Sequence, residues 1–189
     1  MSERLTPIEK PGGLMLRIAF WYSKRTFGKV ITPLKKIYSR MPIAFGTWSG
    51  KISSLENKLP IPLELRILLR IHVAQLNGCH FCIDMGQAHA MQRFKDQEKF
   101  FTVNDFEVSP LFSDKERVAL RFATEMTLHK KVGDDTYDSC RSHYSDEQML
   151  AIAWMVTSEH VYNLMNLTFE VESDGLCQLQ SNKSLAINN

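Results

Sequence analysis

The feature that most constrains the fold is a pair of helical patterns separated by two residues, Asn77 and Gly78. Glycine commonly ends a helix, because it adopts a left-handed backbone conformation at no steric cost. The second pattern begins near Cys79 and continues to about Arg93. The sequence therefore predicts two helices joined by a very short turn. Before the turn, apolar residues recur at the spacing of one helix face: Leu63, Ile67, Leu68, Ile71, Val73 and Leu76.

The remaining chain is also predicted to be helical, because alternation of apolar and polar residues is scarce and runs of Val, Ile and Thr are short. Ser113 and Glu116 have the spacing of a capping box, and Ser145 is placed to cap the last long helix. Asp134 or Asp135 is expected to cap the helix between them. The predicted fold class is all-α. Further helices are expected over residues 14–27, 31–38 and about 96–102.

A chain of 189 residues suits one domain with an extension. Pro60 and Pro62 interrupt the chain just before the first apolar helix face. We therefore predict a basic helical extension over residues 1–59 that packs on a core domain at 60–172, followed by a polar tail at 173–189. No apolar run approaches the ~20 residues that span a bilayer, and no signal-peptide core follows the N-terminus. A cytoplasmic location is expected.

Positive charge is concentrated in the N-terminal extension. Residues 1–51 contain ten Lys and Arg against Glu3 and Glu9, so this part carries +8 and the remainder −6. A basic helix with Phe20 and Trp21 can lie on an anionic membrane surface. We favour the alternative that it packs on the core or on a partner subunit, with both aromatic residues buried and the cations solvated. No nucleic-acid-binding motif accompanies the charge.

The segment from Cys79 to Cys82 predicts thiol–disulfide chemistry. Two intervening residues place both sulfurs on one face of the first helical turn, and the helix N-terminus stabilises a thiolate. A zinc site would need two further ligands, such as His72 and His89, and no ligand motif supports them. Two buried structural thiols are the other alternative. We predict a redox-active disulfide, with no metal and no bound cofactor.

The dithiol segment resembles the core motif of the carboxymuconolactone decarboxylase and alkylhydroperoxidase D-like (AhpD-like) family. The resemblance is carried by residues 73–85, Val-Ala-Gln-Leu-Asn-Gly-Cys-His-Phe-Cys-Ile-Asp-Met. It is supported in order by residues 112–120, 125–127, 143–148 and 163–166, and it covers roughly residues 60–170. It implies an all-α helical bundle, with the CxxC at the N-terminus of a core helix, and a homo-oligomer.

In the family's peroxidases the second cysteine attacks peroxide and the first resolves, which implies Cys82 and Cys79 for these roles. Because the first cysteine of such a helix is usually the more exposed, we expect Cys79 to meet the reductant, a lipoyl- or thioredoxin-type dithiol. The family's proton relay has a Glu twelve residues before the first cysteine and a His four after the second. Here these positions are Ile67 and Gly86, neither of which carries a proton.

Five residues are candidates to replace the missing relay. Glu159 and His160 lie on the final helix, next to the Asn163 segment that packs near the dithiol in the family. His72 precedes the dithiol by two turns, and His89 follows Cys82 by two turns on its helix face. His80 lies between the cysteines, where its cationic form would favour a thiolate. A single histidine on an apolar helix face is more often structural.

The resulting hypothesis is a thiol-dependent peroxidase or thiol–disulfide oxidoreductase that acts on a peroxide or disulfide substrate, with an atypical relay. Two alternatives stay open. One is a non-catalytic or membrane-associated family member, which the missing relay favours. The other is a lactone decarboxylase-like enzyme, which the dithiol disfavours because such members generally lack it.

Overall fold

A computed structural model describes residues 4–180 and confirms the predicted all-α class, since no β-strand occurs in that range. The helices are α1 (Leu14–Phe27), α2 (Thr32–Lys36), α3 (Pro42–Glu56), α4 (Leu63–Asn77), α5 (His80–Arg93), α6 (Glu98–Phe101), α7 (Asp114–His129), α8 (Asp134–His143) and α9 (Asp146–Thr168). Short 3-10 turns occur at Tyr38–Arg40 and Val103–Asp105. No helix between residues 4 and 180 is both long and apolar enough to cross a bilayer.

Helix α4 is the centre of the bundle. It packs against α5, α7 and α9, so its apolar residues are covered on several sides. Leu68 and Ile71 of α4 are fully buried, together with Leu120 of α7 and Ile152 of α9. The apolar face read from the sequence is therefore the face that forms the core.

The α4–α5 hairpin depends on two glycines. Gly78 has φ 71°, a left-handed conformation, and the Cys79 N–H returns to the Ala74 carbonyl at 2.9 Å, which ends α4 and starts α5. Gly86 faces α4 so closely that a Cβ on residue 86 would lie 2.6 Å from Cγ1 of Ile71. The two helices can approach this closely because residue 86 has no side chain.

The sequence predicted the N-caps of α7 and α9 correctly and the N-cap of α8 wrongly. Both capping boxes are present, at Ser113 with Glu116 and at Ser145 with Gln148. The predicted cap of α8 was wrong, because its N-cap is Gly133 and the two aspartates lie in the first turn instead. Glu125 accepts the Gly133 N–H at 2.8 Å, so a carboxylate from α7 takes the place of a local cap.

The N-terminal extension lies on the core. Its first helix, α1, is only partly buried there. Phe20 is buried as predicted, whereas Trp21 is 61% exposed, contrary to the expectation for this single chain. Neighbouring residues point about 100° apart around a helix, and α1 turns the Phe20 side toward the core and the Trp21 side toward solvent. The Arg25 guanidinium lies 5.7 Å from the Trp21 ring centroid.

Two buried aspartates hold residues 173–180 against the rest of the protein. Asp174 accepts the Thr32 N–H at 2.7 Å and pairs with Lys29 at 2.7 Å, which joins this segment to the extension. Asp84 of α5 accepts hydrogen bonds from Ser173 Oγ and from the Leu176 N–H, both at 2.8 Å. The predicted tail continues to residue 189, and residues 181–189 lie outside the described range.

We predict that Asp84→Asn destabilises the protein by about 2–3 kcal/mol, because an amide nitrogen would replace an oxygen that accepts buried hydrogen bonds. Chemical denaturation measures the loss, and amide hydrogen exchange should accelerate across residues 173–180. The matched control is Asp138→Asn on the exposed face of α8, which should change the free energy of unfolding by less than about 0.5 kcal/mol. Equal stability of the two variants would contradict this account.

Candidate redox site

Cys79 and Cys82 form a disulfide at the beginning of α5. Cys79 is the N-cap residue and Cys82 lies in the first turn, with a Cα–Cα distance of 5.3 Å. The residues before them explain the placement, because the left-handed turn at Gly78 reverses the chain directly ahead of the first cysteine. The pair therefore lies where the positive end of the helix dipole would favour a thiolate in the reduced protein.

A cavity of about 370 Å³ opens beside Cys82. Cys82 lines it and Cys79 does not. The walls come from α5, from α9 and from the N-terminal extension, so the extension is part of the site. Its apolar and aromatic lining includes Phe27, Ile31, Tyr38, Phe81, Met85 and Tyr162, and its polar lining includes Glu56, Arg70, His89, Glu159 and Asn166.

Glu159 is the buried acid of this cavity. It is 6% exposed, and its Oε1 accepts a hydrogen bond from Asn163 Nδ2 at 2.6 Å. Burial raises the pKa of Glu159 to about 8, and the nearby Arg70 and the Asn163 bond offset that only in part. Glu159 is therefore protonated at neutral pH and can donate a proton into the cavity.

His89 supplies a proton acceptor to the same cavity. Burial lowers its pKa to about 4, and the positive charges of Arg70, Arg93 and Arg66 act in the same direction. The imidazole is therefore neutral at pH 7. An acid that holds its proton and a base that lacks one thus line the cavity together, which is the complementary pairing that proton transfer requires.

Asn166 contacts the reactive sulfur directly, since its Nδ2 lies 3.3 Å from Cys82 Sγ. Its role was missed at the sequence level, although its segment carried the family resemblance. Glu159, Asn163 and Asn166 lie four and three residues apart along α9 and so share one helix face. That spacing is the signal that would have placed Asn166 with Glu159.

The other three histidines among the relay candidates do not line the Cys82 cavity. His72 is buried, with Nε2 2.6 Å from Thr124 Oγ1 and its ring edge-on to Phe106. His160 Nε2 lies 3.3 Å from Thr127 Oγ1, and its Nδ1 lies 3.3 Å from the Asn77 amide. His80 is exposed. Of the five predicted substitutes, the structure brings His89 and Glu159 to the cavity with Cys82.

The two relay positions are structural in this chain. Ile67 is fully buried in the core. Gly86 lines the cavity, but the space that a side chain would need there is occupied by Ile71. A side chain at residue 86 would therefore require Ile71 or the two helices to shift.

Sequence comparison places the chain among known proteins. Residues 53–125 match the carboxymuconolactone decarboxylase family. The chain is 27% identical to the uncharacterized protein YnjA of Escherichia coli (strain K12), over 90% of this chain and 94% of that one. It is 29% identical to the uncharacterized protein YdfG of Bacillus subtilis (strain 168), over 54% of this chain and 71% of that one.

Solved structures share the fold. The debrominase Bmp8 superimposes with a TM-score of 0.80 at 18% identity, covering 96% of this chain and 98% of that one. Its C82A variant, superimposing with a TM-score of 0.79 at 17% identity over 97% and 98% of the two chains, was crystallised with 2,3,4-tribromopyrrole. An alkylhydroperoxidase AhpD core protein from Ralstonia eutropha JMP134 superimposes with a TM-score of 0.74 at 18% identity. The superposition covers 90% of this chain and 95% of that one.

Fold and site together define a class, the all-helical proteins with a CxxC pair at the start of a core helix. Residues 53–125, which contain the dithiol, match the carboxymuconolactone decarboxylase family, and AhpD-like proteins share the fold, which supports the resemblance that the dithiol segment carries. The family and the site support a redox role for the cysteine pair.

The raised pKa of Glu159 predicts a pH-dependent stability. Because the folded pKa of about 8 exceeds the ordinary value of 4.5, the contribution of Glu159 is fully present below pH 4.5 and is lost as pH rises through 8. The free energy of unfolding of wild type relative to Glu159→Gln should fall by up to about 1.4 kcal/mol per pH unit in this window. Urea denaturation from pH 5 to 8.5 measures it.

The comparison with Glu159→Gln removes the contributions of His72 and His89, whose lowered pKa values act in both proteins. A pH-independent difference between the two proteins would contradict a buried, protonated Glu159. The matched control is Glu147→Gln in the exposed first turn of α9, whose stability should follow the wild-type pH profile.

Proposed function

We propose that this protein is a thiol-dependent reductase that reduces a peroxide with the Cys79–Cys82 dithiol. The observation that carries the proposal is the position of Cys82, which lines an organic-sized cavity with an acid, Glu159, and a base, His89. Asn166 donates toward the same sulfur and would stabilise the thiolate once the disulfide is reduced.

The proposed reaction has two steps. The Cys82 thiolate attacks one peroxide oxygen, so an S–O bond forms, the O–O bond breaks, and the leaving alkoxide takes a proton to become an alcohol. The Cys79 sulfur then attacks Cys82 Sγ, so the S–S bond forms and the S–O bond breaks, and the leaving hydroxide takes the proton of the Cys79 thiol to become water. A dithiol reductant of the lipoyl or thioredoxin type returns the pair to thiols and is itself oxidised to a disulfide.

Glu159 and His89 divide the proton transfers between them. Glu159 carries a proton at neutral pH and donates it to the leaving alkoxide, whereas neutral His89 accepts the proton of the attacking thiol. These groups replace the relay that Ile67 and Gly86 cannot form. The replacement comes from α9 and from the far end of α5 because the site beside Gly86 is closed by Ile71.

The expectation that Cys79 is the more exposed cysteine was wrong. Cys79 is 1% exposed and Cys82 is 7% exposed, because the N-cap residue is covered by a small apolar cluster that includes Val171 and Leu176. A small dithiol that enters the cavity therefore reaches Cys82 first. In this proposal Cys79 serves as the resolving thiol inside the protein.

A second candidate is the reductive removal of halogen from an aromatic ring. It is supported by the extent of overlap with the debrominase and by the aromatic cavity lining of Tyr38, Phe81 and Tyr162. The Cys82 thiolate would attack bromine, forming S–Br as the C–Br bond breaks and the ring carbon takes a proton. Cys79 would then attack Cys82 Sγ and expel bromide, which leaves the same disulfide and uses the same two electrons.

Single-turnover kinetics separate the roles of the two cysteines. With cumene hydroperoxide, the Cys79→Ser variant should accumulate a sulfenic acid on Cys82 that dimedone traps, because no thiol resolves it. The Cys82→Ser variant should not react. Cys177→Ser is the matched control and should behave as wild type, since that thiol lies outside the cavity. Dimedone labelling of the Cys82→Ser variant at Cys79 would reverse the assignment.

Glu159→Gln should lower kcat/KM for cumene hydroperoxide by about 10²–10⁴-fold, because the amide cannot donate an acidic proton to the alkoxide. The activity of wild type should fall as pH rises through 8, and this fall should be absent from the variant. Glu147→Gln should leave the rate unchanged. Full activity of Glu159→Gln would contradict the relay, and decarboxylation of a muconolactone by Cys82→Ser would favour the decarboxylase alternative.

A further inference from the structure

A second cavity of about 460 Å³ adjoins the one at Cys82. The two share side chains from the extension, from α4 and from α5, so the two cavities lie side by side, and the space they make up has Cys82 at one end. The shared lining residues are Phe27, Ser53, Glu56, Arg70, Met85 and His89. The second cavity adds Arg66 and Arg93, so three arginines surround the part that is farther from the sulfur.

The acidic residues of this space do not balance its three arginines. Glu56 is buried, and its carboxylate already bonds Arg70 and accepts Ser158 Oγ at 2.7 Å. Glu159 is protonated at neutral pH because burial raises the pKa of its carboxyl. His89, which also lines both cavities, is neutral because burial lowers its pKa to about 4. One ionised carboxylate thus faces three guanidinium groups.

Arg66 and Arg93 have hydrogen-bonding capacity left over. Arg66 donates through one terminal nitrogen to the Glu56 backbone carbonyl, whereas its Nε is buried without a partner among the described residues. Burial and the neighbouring Arg70 charge lower the pKa of Arg66, as expected where cations outnumber anions. Arg93 is exposed at the rim of the second cavity, and no described acidic side chain pairs with it. The residues Arg66, Arg70 and Arg93 nevertheless all line the second cavity, and guanidinium groups grouped in this way favour an anionic ligand.

The end of the space beside Cys82 has a large apolar surface in addition to the polar groups of the site. Phe81 and Met85 of α5 and Ile31 of the extension line it together with Cys82. Such a surface buries a carbon skeleton favourably. The charge at one end and the apolar surface at the other therefore specify the two ends of a ligand.

We propose that this space binds a carboxylate-bearing organic molecule, with its carboxylate held by Arg66, Arg70 and Arg93 and its electrophilic group directed to Cys82. Guanidinium groups suit a carboxylate because their paired N–H donors match its two oxygens. The proposal deepens the proposed function by naming the substrate class of the same site. It rests on that function for the reaction at sulfur, whereas anion binding alone does not require it.

A matched pair of alkylating probes tests whether Cys82 reacts preferentially with an anionic molecule. Iodoacetate and iodoacetamide react with a thiolate by the same displacement and differ in charge, so the ratio of their rates cancels the thiolate fraction. With reduced protein, the ratio of iodoacetate to iodoacetamide at Cys82 should fall about tenfold in the double variant Arg66→Gln and Arg93→Gln. Arg141→Gln, an exposed cation of α8 outside both cavities, should leave the ratio unchanged.

Calorimetry on the oxidised protein separates anion binding from thiol reactivity. Benzoate should bind at least about tenfold more tightly than benzamide, its neutral analogue, and the preference should disappear in the double variant and weaken at high salt. Undetectable benzoate binding, equal binding of the two probes, or a preference that survives the double substitution would each overturn the proposal. If Cys82 reacts with neither alkylator, the proposed function fails, and the benzoate preference still decides whether the anion site exists.

Discussion

The close approach of α4 and α5 is the constraint on which the site depends. Gly78 supplies the left-handed turn that lets α5 begin with only two residues between it and α4, and Gly86 lets Ile71 pack against the helix backbone. The turn at Gly78 places the cysteines at a helix start. The packing at Gly86 leaves no space for the relay histidine of the resembling peroxidases, because Ile71 fills it. One packing solution therefore creates the dithiol site and leaves no room for a side chain at residue 86.

The N-terminal extension belongs to the chemistry as much as to the fold. It contributes Phe27, Ile31 and Tyr38 to the walls above Cys82, and Glu56 at the end of α3 anchors it to Arg70 of the core. Burying this ion pair is costly unless further hydrogen bonds satisfy it, and Ser158 supplies one. The excess of basic residues in the extension is thus separate from the arginines of α4 and α5 that make the cavity cationic.

The sequence predicted the parts that depend on local rules. Periodicity gave α4, the Gly78 stop gave the start of α5, and two capping boxes gave α7 and α9. Helix α3 was not predicted, because Gly46 and Gly50 disfavour a helix locally; in the structure Ile52 and Glu56 are its buried residues. Five relay candidates could not be reduced to His89 and Glu159, since only the packing of distant helices decides which side chains share a cavity. The burial that raises the pKa of Glu159 could not be predicted from the sequence for the same reason.

The most direct measurement is the stoichiometry of thiol loss in the reduced protein. One equivalent of tert-butyl hydroperoxide should consume two thiols, and mass spectrometry should find the peptide containing Cys79 and Cys82 two hydrogens lighter, with Cys140 and Cys177 still alkylatable. That result would show that the pair transfers two electrons to an oxidant at this site. Retention of both thiols in the presence of oxidant, or oxidation at Cys177 instead, would contradict the account.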